Sequence, residues 1–106
     1  MVFIDFSVVV PVYNEEESIG ALFEEICQAM NGMKGPYEIV FVNDCSSDKS
    51  YGVMKELQGK FPNIVNIVHL TQRSGQTYAM KQGLNAVRGE IAVTLDADLQ
   101  NGGQRL

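Results

Sequence analysis

Short, almost unbroken apolar runs alternate along the chain with longer stretches in which apolar positions return every three or four residues. The first run, Phe6-Ser7-Val8-Val9-Val10-Pro11-Val12, is rich in β-branched side chains, as expected of a strand buried on both faces of a parallel sheet. Asn14 is positioned to cap a helix after it, with Glu15, Glu16 and Glu17 at the positive end of that helix. Ile19, Leu22, Phe23, Ile26, Cys27 and Met30 recur at helical spacing and make one apolar stripe, closed by Gly32 and Gly35-Pro36. Residues 38–42 predict a second strand. Ser46, Ser47 or Asp48 then caps a second helix carrying Val53, Met54, Leu57 and Phe61, which ends at Pro62-Asn63. Residues 64–70 predict a third strand. Residues 75–88 predict a third helix with Ala79, Met80, Gly83, Leu84 and Val87 on one side. After the break at Gly89, residues 91–95 form a fourth strand that runs into Asp96-Ala97-Asp98. The order is β-α-β-α-β-α-β, which implies an α/β fold: a parallel sheet with right-handed crossovers and helices on both faces.

Composition narrows the class. The chain has 106 residues, so it is read as a single domain over 1–106. With 45% hydrophobic and 20% charged residues it is an ordinary globular sequence, which excludes intrinsic disorder, a collagen-like repeat and a coiled coil. Eight Lys plus Arg against thirteen Asp plus Glu leave a net charge of −5, and no basic patch stands out, so nucleic acid is not an expected partner. Two cysteines, Cys27 and Cys45, are too few for a disulfide scaffold and suggest a reduced, cytoplasmic setting. The opening residues lack the charged region and cleavage site of a signal peptide, and no apolar run is long enough to span a bilayer.

In such a sheet ligands bind beyond the carboxyl ends of the strands. Those ends are polar here, and three of the four carry carboxylates. Asp96 and Asp98 leave the fourth strand two residues apart and can converge on one hard divalent cation, with Gln100 as a further oxygen donor two residues on. The same pattern also occurs as a turn that caps the next segment. Asp44 ends the second strand; its carboxylate can accept hydrogen bonds from a nucleobase or cap the turn that follows. Tyr13 and Glu15 can stack on and hydrogen-bond to a nucleoside, or serve in a helix cap. There is no G-x-G-x-x-G and no phosphate-binding G-x-x-x-x-G-K-[ST], so neither a dinucleotide fold nor a P-loop enzyme fits. The single histidine, His69, lies within a strand run and is read as structural, which argues against a zinc site or a Ser–His–Asp triad.

Taken together, "VVVPVYNEEESIGALFEEI", "EIVFVNDCSSDKS" and "GQTYAMKQGLNAVRGEIAVTLDADLQ" resemble, in order, the opening strand and helix, the paired-acid loop, and the third helix and metal motif of family 2 glycosyltransferases of the GT-A type. Within that family the chain is most similar to the polyprenyl-phosphate sugar transferases, the relatives of dolichyl-phosphate mannose synthase and bactoprenol glucosyltransferase. The resemblance implies a Rossmann-like nucleotide-diphospho-sugar transferase half. By position it implies that Pro11, Tyr13 and Glu15 line a nucleoside pocket, that Asp44 holds the base, and that Asp96 contacts the nucleotide. It further implies that Asp96, Asp98 and Gln100 hold Mg2+ or Mn2+ against the diphosphate of a UDP- or GDP-sugar, with a lipid phosphate as the leading acceptor. Arg88 and Gly89 match a structural turn of the family.

Three departures accompany the resemblance. Asn43 stands where the family has the first of its paired acids, and Cys45 where it usually has glycine. Arg73-Ser74 stands where relatives often have Asn and an aromatic; Arg73 can contact a diphosphate, but is read first as facing solvent. The family's acceptor-binding half, with its catalytic base, follows the metal motif and has no counterpart in these residues. The expectation is therefore a truncated glycosyltransferase whose uncovered sheet edge invites homo-oligomerisation. The alternatives are a non-catalytic, nucleotide-binding or oligomerising remnant of such an enzyme, and, fitting less well, a nucleotidyltransferase.

Overall fold

The structure, a computed structural model, describes residues 4–33 and 35–95. Four parallel strands form one sheet in the order β3-β2-β1-β4: β1 is Phe6–Val12, β2 is Tyr37–Asp44, β3 is Val65–Leu70 and β4 is Ile91–Thr94. Three helices connect them, α1 over Ile19–Asn31, α2 over Ser50–Lys60 and α3 over Gln76–Asn85. This is the Rossmann-like α/β architecture that the alternating pattern implies.

The period of two along the strands divides the core between the two faces of the sheet. Val8, Val10 and Val12 of β1, with Ile39 and Phe41 of β2, pack against Ile19, Leu22, Phe23 and Ile26 of α1 and Met54 of α2. Val9, Val40 and Val42 turn the other way and meet Ala79 of α3. Each such side chain, fully buried, contributes roughly 1.5–3 kcal/mol, so β1 and β2 anchor the domain. Gly83 lets α3 lie directly on the sheet, because a Cβ there would fall 2.5 Å from Val9 Cγ1 and 2.7 Å from Val42 Cγ2.

Two expectations are corrected. The third helix stops at Asn85 rather than 88: the Ala86 and Val87 N–H groups turn back to the Gly83 and Leu84 carbonyls, and the Arg88 N–H is taken by Glu38. Leu84 is exposed rather than part of the buried stripe, which consists of Ala79 and Gly83 flanked by Met80 and Val87.

Pro11 sits in a central strand, where a missing N–H would ordinarily break the ladder. Leu95 N–H donates to Val9 O, so Val9 and, two residues on, Pro11 turn their backbone groups toward β4. Among the described residues the pairing with β4 runs as far as Val9 opposite Thr94, short of Pro11. β4 is an edge strand whose four residues are all exposed, Ile91 and Val93 among them. No helix among the described residues is long and apolar enough to cross a membrane.

Candidate functional site

The chain runs from β1 to β2 and β3 in one direction, then crosses back to place β4 on the far side of β1. The strand order therefore reverses between β1 and β4, the place where ligands bind at the carboxyl ends of such sheets. The loops after β1, β2 and β3 all gather at this edge.

The loops after β1 and β2 are stitched together by reciprocal hydrogen bonds. Asn14 adopts φ 53°, a left-handed conformation that asparagine tolerates better than most residues. Its Oδ1 accepts the backbone N–H groups of Ser47 (2.8 Å) and Asp48 (3.3 Å), while its own N–H donates to Ser46 Oγ (3.0 Å). In return, Glu15 N–H donates to Ser50 Oγ at 2.8 Å and Glu16 N–H to Asp48 Oδ2 at 3.2 Å, and Glu16 Oε1 accepts Lys49 N–H at 2.9 Å. The expected cap of α1 by Asn14 is thus corrected: Ser18 occupies the N-cap position, and Asn14 caps the neighbouring loop instead. Asp48 does help to cap α2, accepting Ser50 N–H at 2.8 Å. Burial pushes the Asp48 carboxyl up, but hydrogen bonds from the Ser50 side chain and from the backbone of Ser50 and Glu16 outweigh it, and the group lies below the ordinary carboxylate range.

Cys45 takes φ 58° at the turn where the family's glycine would stand, so the backbone keeps the glycine-like shape without the glycine. Beside it Asn43 is fully buried; its Oδ1 accepts Ser46 N–H at 3.1 Å and its Nδ2 lies 3.0 Å from His69 Nδ1. With Oδ1 engaged, Nδ2 is the donor and His69 Nδ1 the acceptor, which assigns the ring proton to Nε2. His69 also stacks on Tyr51, with ring centroids 4.3 Å apart. These are structural contacts, in keeping with its position in a strand.

Asp44 is the centre of the edge. It is 2% exposed, yet it ends a strand at the ligand side of the sheet. Its Oδ1 accepts Ser74 N–H at 2.8 Å and its Oδ2 accepts Gly75 N–H at 2.9 Å, which ties the entry to α3 against β2. Oδ2 also pairs with Arg73 Nη1. The Arg73 guanidinium carbon in turn lies over the Tyr13 ring, 3.9 Å from its centroid. Arg73 is exposed to solvent, as the sequence suggests, and it also bridges two of the residues expected to hold a nucleoside. What the sequence lacks is any local signal for this contact, since Asp44 and Arg73 are 29 positions apart.

Of the remaining expected residues, Glu15 is half-buried in the loop after β1, and Pro11 is buried within β1 opposite Val42. Asp96, Asp98 and Gln100 lie outside the described residues. Among the described residues no cluster of three or more His, Cys, Asp or Glu is arranged to hold a metal ion.

An open parallel sheet with this strand order, flanked by helices on both faces, defines a Rossmann-like α/β protein of the GT-A type. Residues 7–106 match glycosyl transferase family 2, and the chain belongs to that family. It is 42% identical over 95 residues to the undecaprenyl-phosphate 4-deoxy-4-formamido-L-arabinose transferase of Edwardsiella ictaluri (strain 93-146), covering 90% of this chain and 29% of that one. Among solved structures it is similar to S. aureus TarS 1–349 in complex with UDP-GlcNAc, with a TM-score of 0.76 and 27% identity over 90% of this chain and 27% of that one. It is likewise similar to the mannosyltransferase PcManGT from Pyrobaculum calidifontis in complex with GDP-Man and Mn2+, with a TM-score of 0.72 and 29% identity over 91% of this chain and 28% of that one. The chain thus spans about 29% of the length of the curated relatives it matches.

Proposed function

We propose that the carboxyl edge of this sheet binds the nucleoside diphosphate of a sugar donor, as part of a glycosyltransferase acting on a polyprenyl phosphate at the cytoplasmic face of a membrane. The observation that carries the reading is the meeting of Tyr13, Asp44 and Arg73 at one strand edge: a cation lies in contact with both an aromatic face and a buried carboxylate. An aromatic ring offers stacking to a base, and an ionised carboxylate accepts from a ring N–H such as that of uracil or guanine. Cytosine and adenine present an unprotonated ring nitrogen at the equivalent edge, which a carboxylate repels. In this reading Glu15 and the backbone of the β1 loop flank the ribose, and Asp44 holds the base.

Asp96, Asp98 and Gln100 are assigned to a divalent cation. The set fits a hard ion, since all of its donors are oxygens, and it follows directly on Leu95, which is fixed to β1 through Val9 O. When bound, Mg2+ or Mn2+ would neutralise charge on the diphosphate as it leaves. The acceptor phosphate oxygen forms a bond to the anomeric carbon, the bond from that carbon to the diphosphate oxygen breaks, and the nucleoside diphosphate departs with the electron pair. The names of the relatives supply the acceptor class, a lipid phosphate. Titration calorimetry with UDP and GDP, in Mn2+ and then in excess chelator, tests the reading. Metal-dependent binding of one of them is expected; absence of heat with both, at every metal concentration, would overturn it.

A further inference from the structure

Arg73 stands in the place of a base. Its guanidinium is planar, lies against the Tyr13 face at 3.9 Å, and donates to the carboxylate of Asp44. A bound uracil or guanine would make the same two contacts, a face on Tyr13 and an N–H on Asp44. With the guanidinium in place, Asp44 is closed to a base. Oδ2 already accepts Gly75 N–H as well as Arg73, which uses both of its lone pairs, and the residue is 2% exposed.

From this crowding we propose that Arg73 is an internal stand-in for the nucleobase: the guanidinium fills the slot between Tyr13 and Asp44, a nucleotide enters only when Arg73 swings out, and Arg73 thereby sets the affinity of the site. The inference rests on the reading of this edge as a nucleoside pocket. The swing is physically open, because the Arg73 side chain is 48% exposed while Asp44 stays held by the Ser74 and Gly75 N–H groups after the guanidinium leaves. A site that is competent only in its open fraction binds more weakly by that fraction, so removing the competitor tightens binding without adding a contact. A charge-assisted hydrogen bond and a cation–π contact together bias the pair toward the closed arrangement, and releasing them is expected to be worth at least ~fivefold in affinity.

The test uses uridine and guanosine, which carry no phosphate, so the loss of a positive charge does not itself alter binding. The full chain and its Arg73→Ala and Arg73→Gln variants are titrated with each nucleoside by NMR, with Asp44→Asn as a control. Both Arg73 variants are expected to bind one nucleoside at least ~fivefold more tightly than the parent, and the parent's Arg73 Nε–H resonance to move toward the position of a free guanidinium at saturation. Arg73→Gln carries the comparison if Arg73→Ala does not fold. Equal or weaker binding by the Arg73 variants, with Asp44→Asn also weakened, overturns the stand-in and leaves the pocket standing. If no nucleoside perturbs Tyr13 or Asp44 in any of the proteins, the pocket and the stand-in fall together.

Discussion

Glu38 and Arg88, fifty residues apart in the chain, meet at the amino end of the sheet, where the fully buried Glu38 carboxylate accepts the Arg88 backbone N–H at 2.7 Å and its Nε–H at 3.0 Å. Ser7 Oγ donates to the same carboxylate at 2.6 Å and accepts Gly89 N–H at 2.8 Å. One buried charge therefore fixes the turn that feeds β4, the strand from which Asp96 follows. A Cβ on Gly89 would come within 2.6 Å of Ser7 Oγ, so the turn has no room for another residue type without a shift. Arg88→Ala leaves Glu38 with only the serine and one backbone N–H. Because the Arg88 side chain is 58% exposed, the loss is screened and is expected to be about 1–2 kcal/mol in denaturant unfolding. Glu38→Ala also leaves a cavity and takes the acceptor from the Ser7 O–H and the Arg88 N–H, and is expected to cost about 3 kcal/mol. Hydrogen exchange in β4 should accelerate in both.

The close approach of α3 to the sheet predicts a second effect. Gly83→Ala forces a methyl group into Val9 and Val42, whose backbones are pinned in the two central strands. Despite the better helix propensity of alanine, the variant is expected to lose about 1–3 kcal/mol. Gly52 and Gly59 of α2 have nothing within 4 Å of such a Cβ. Gly59→Ala is therefore expected to gain up to ~1 kcal/mol, and thermal melting of the pair separates packing from propensity.

Asn14 combines a left-handed backbone with two accepted N–H bonds. Asn14→Gly keeps the backbone and loses the acceptors; Asn14→Ala loses both. The expected order of stability is parent, then glycine, then alanine, with alanine about 2–3 kcal/mol below the parent. Equal melting of the glycine variant and the parent would show that the side-chain bonds to Ser47 and Asp48 contribute nothing.

Acid should loosen the same loops. The Asp48 carboxyl is held below its unfolded value, so its folded form binds a proton less readily than the unfolded chain. Its contribution to stability is accordingly full above the unfolded carboxylate range and is lost as pH falls through the lowered folded value. Asp48→Asn is expected to be less stable at neutral pH and to show a shallower fall in melting temperature below about pH 4 than the parent.

The strands and helices were legible because their cause is local. Val8, Val9, Val10 and Val12 announce a two-sided strand, and the stripe from Ile19 to Met30 announces a helix with one buried face. Asp44, Tyr13 and Glu15 were legible as site candidates because strand ends are identifiable once the strands are. Contacts between loops were not. Asn14 followed by three glutamates carries the signature of a helix cap, and its actual partners lie 33 and 34 residues away. Arg73 has no periodicity to place it, and only the strand order β3-β2-β1 brings its loop over Tyr13. Glu38 gave a faint signal, a lone charge at the head of an apolar strand, which by burial cost alone demands a partner. Nothing in the residues around it says that the partner is Arg88.

The central claim is that the carboxyl edge of β1 and β2 receives a nucleoside diphosphate. Backbone amide mapping by NMR with UDP or GDP and Mg2+ tests it most directly. The largest shifts are expected on residues 13–15, 44–46 and 73–75, with the amino end of the sheet around Glu38 and Arg88 unmoved. Shifts confined to that opposite end, or none along the chain at saturating nucleotide and metal, would contradict it.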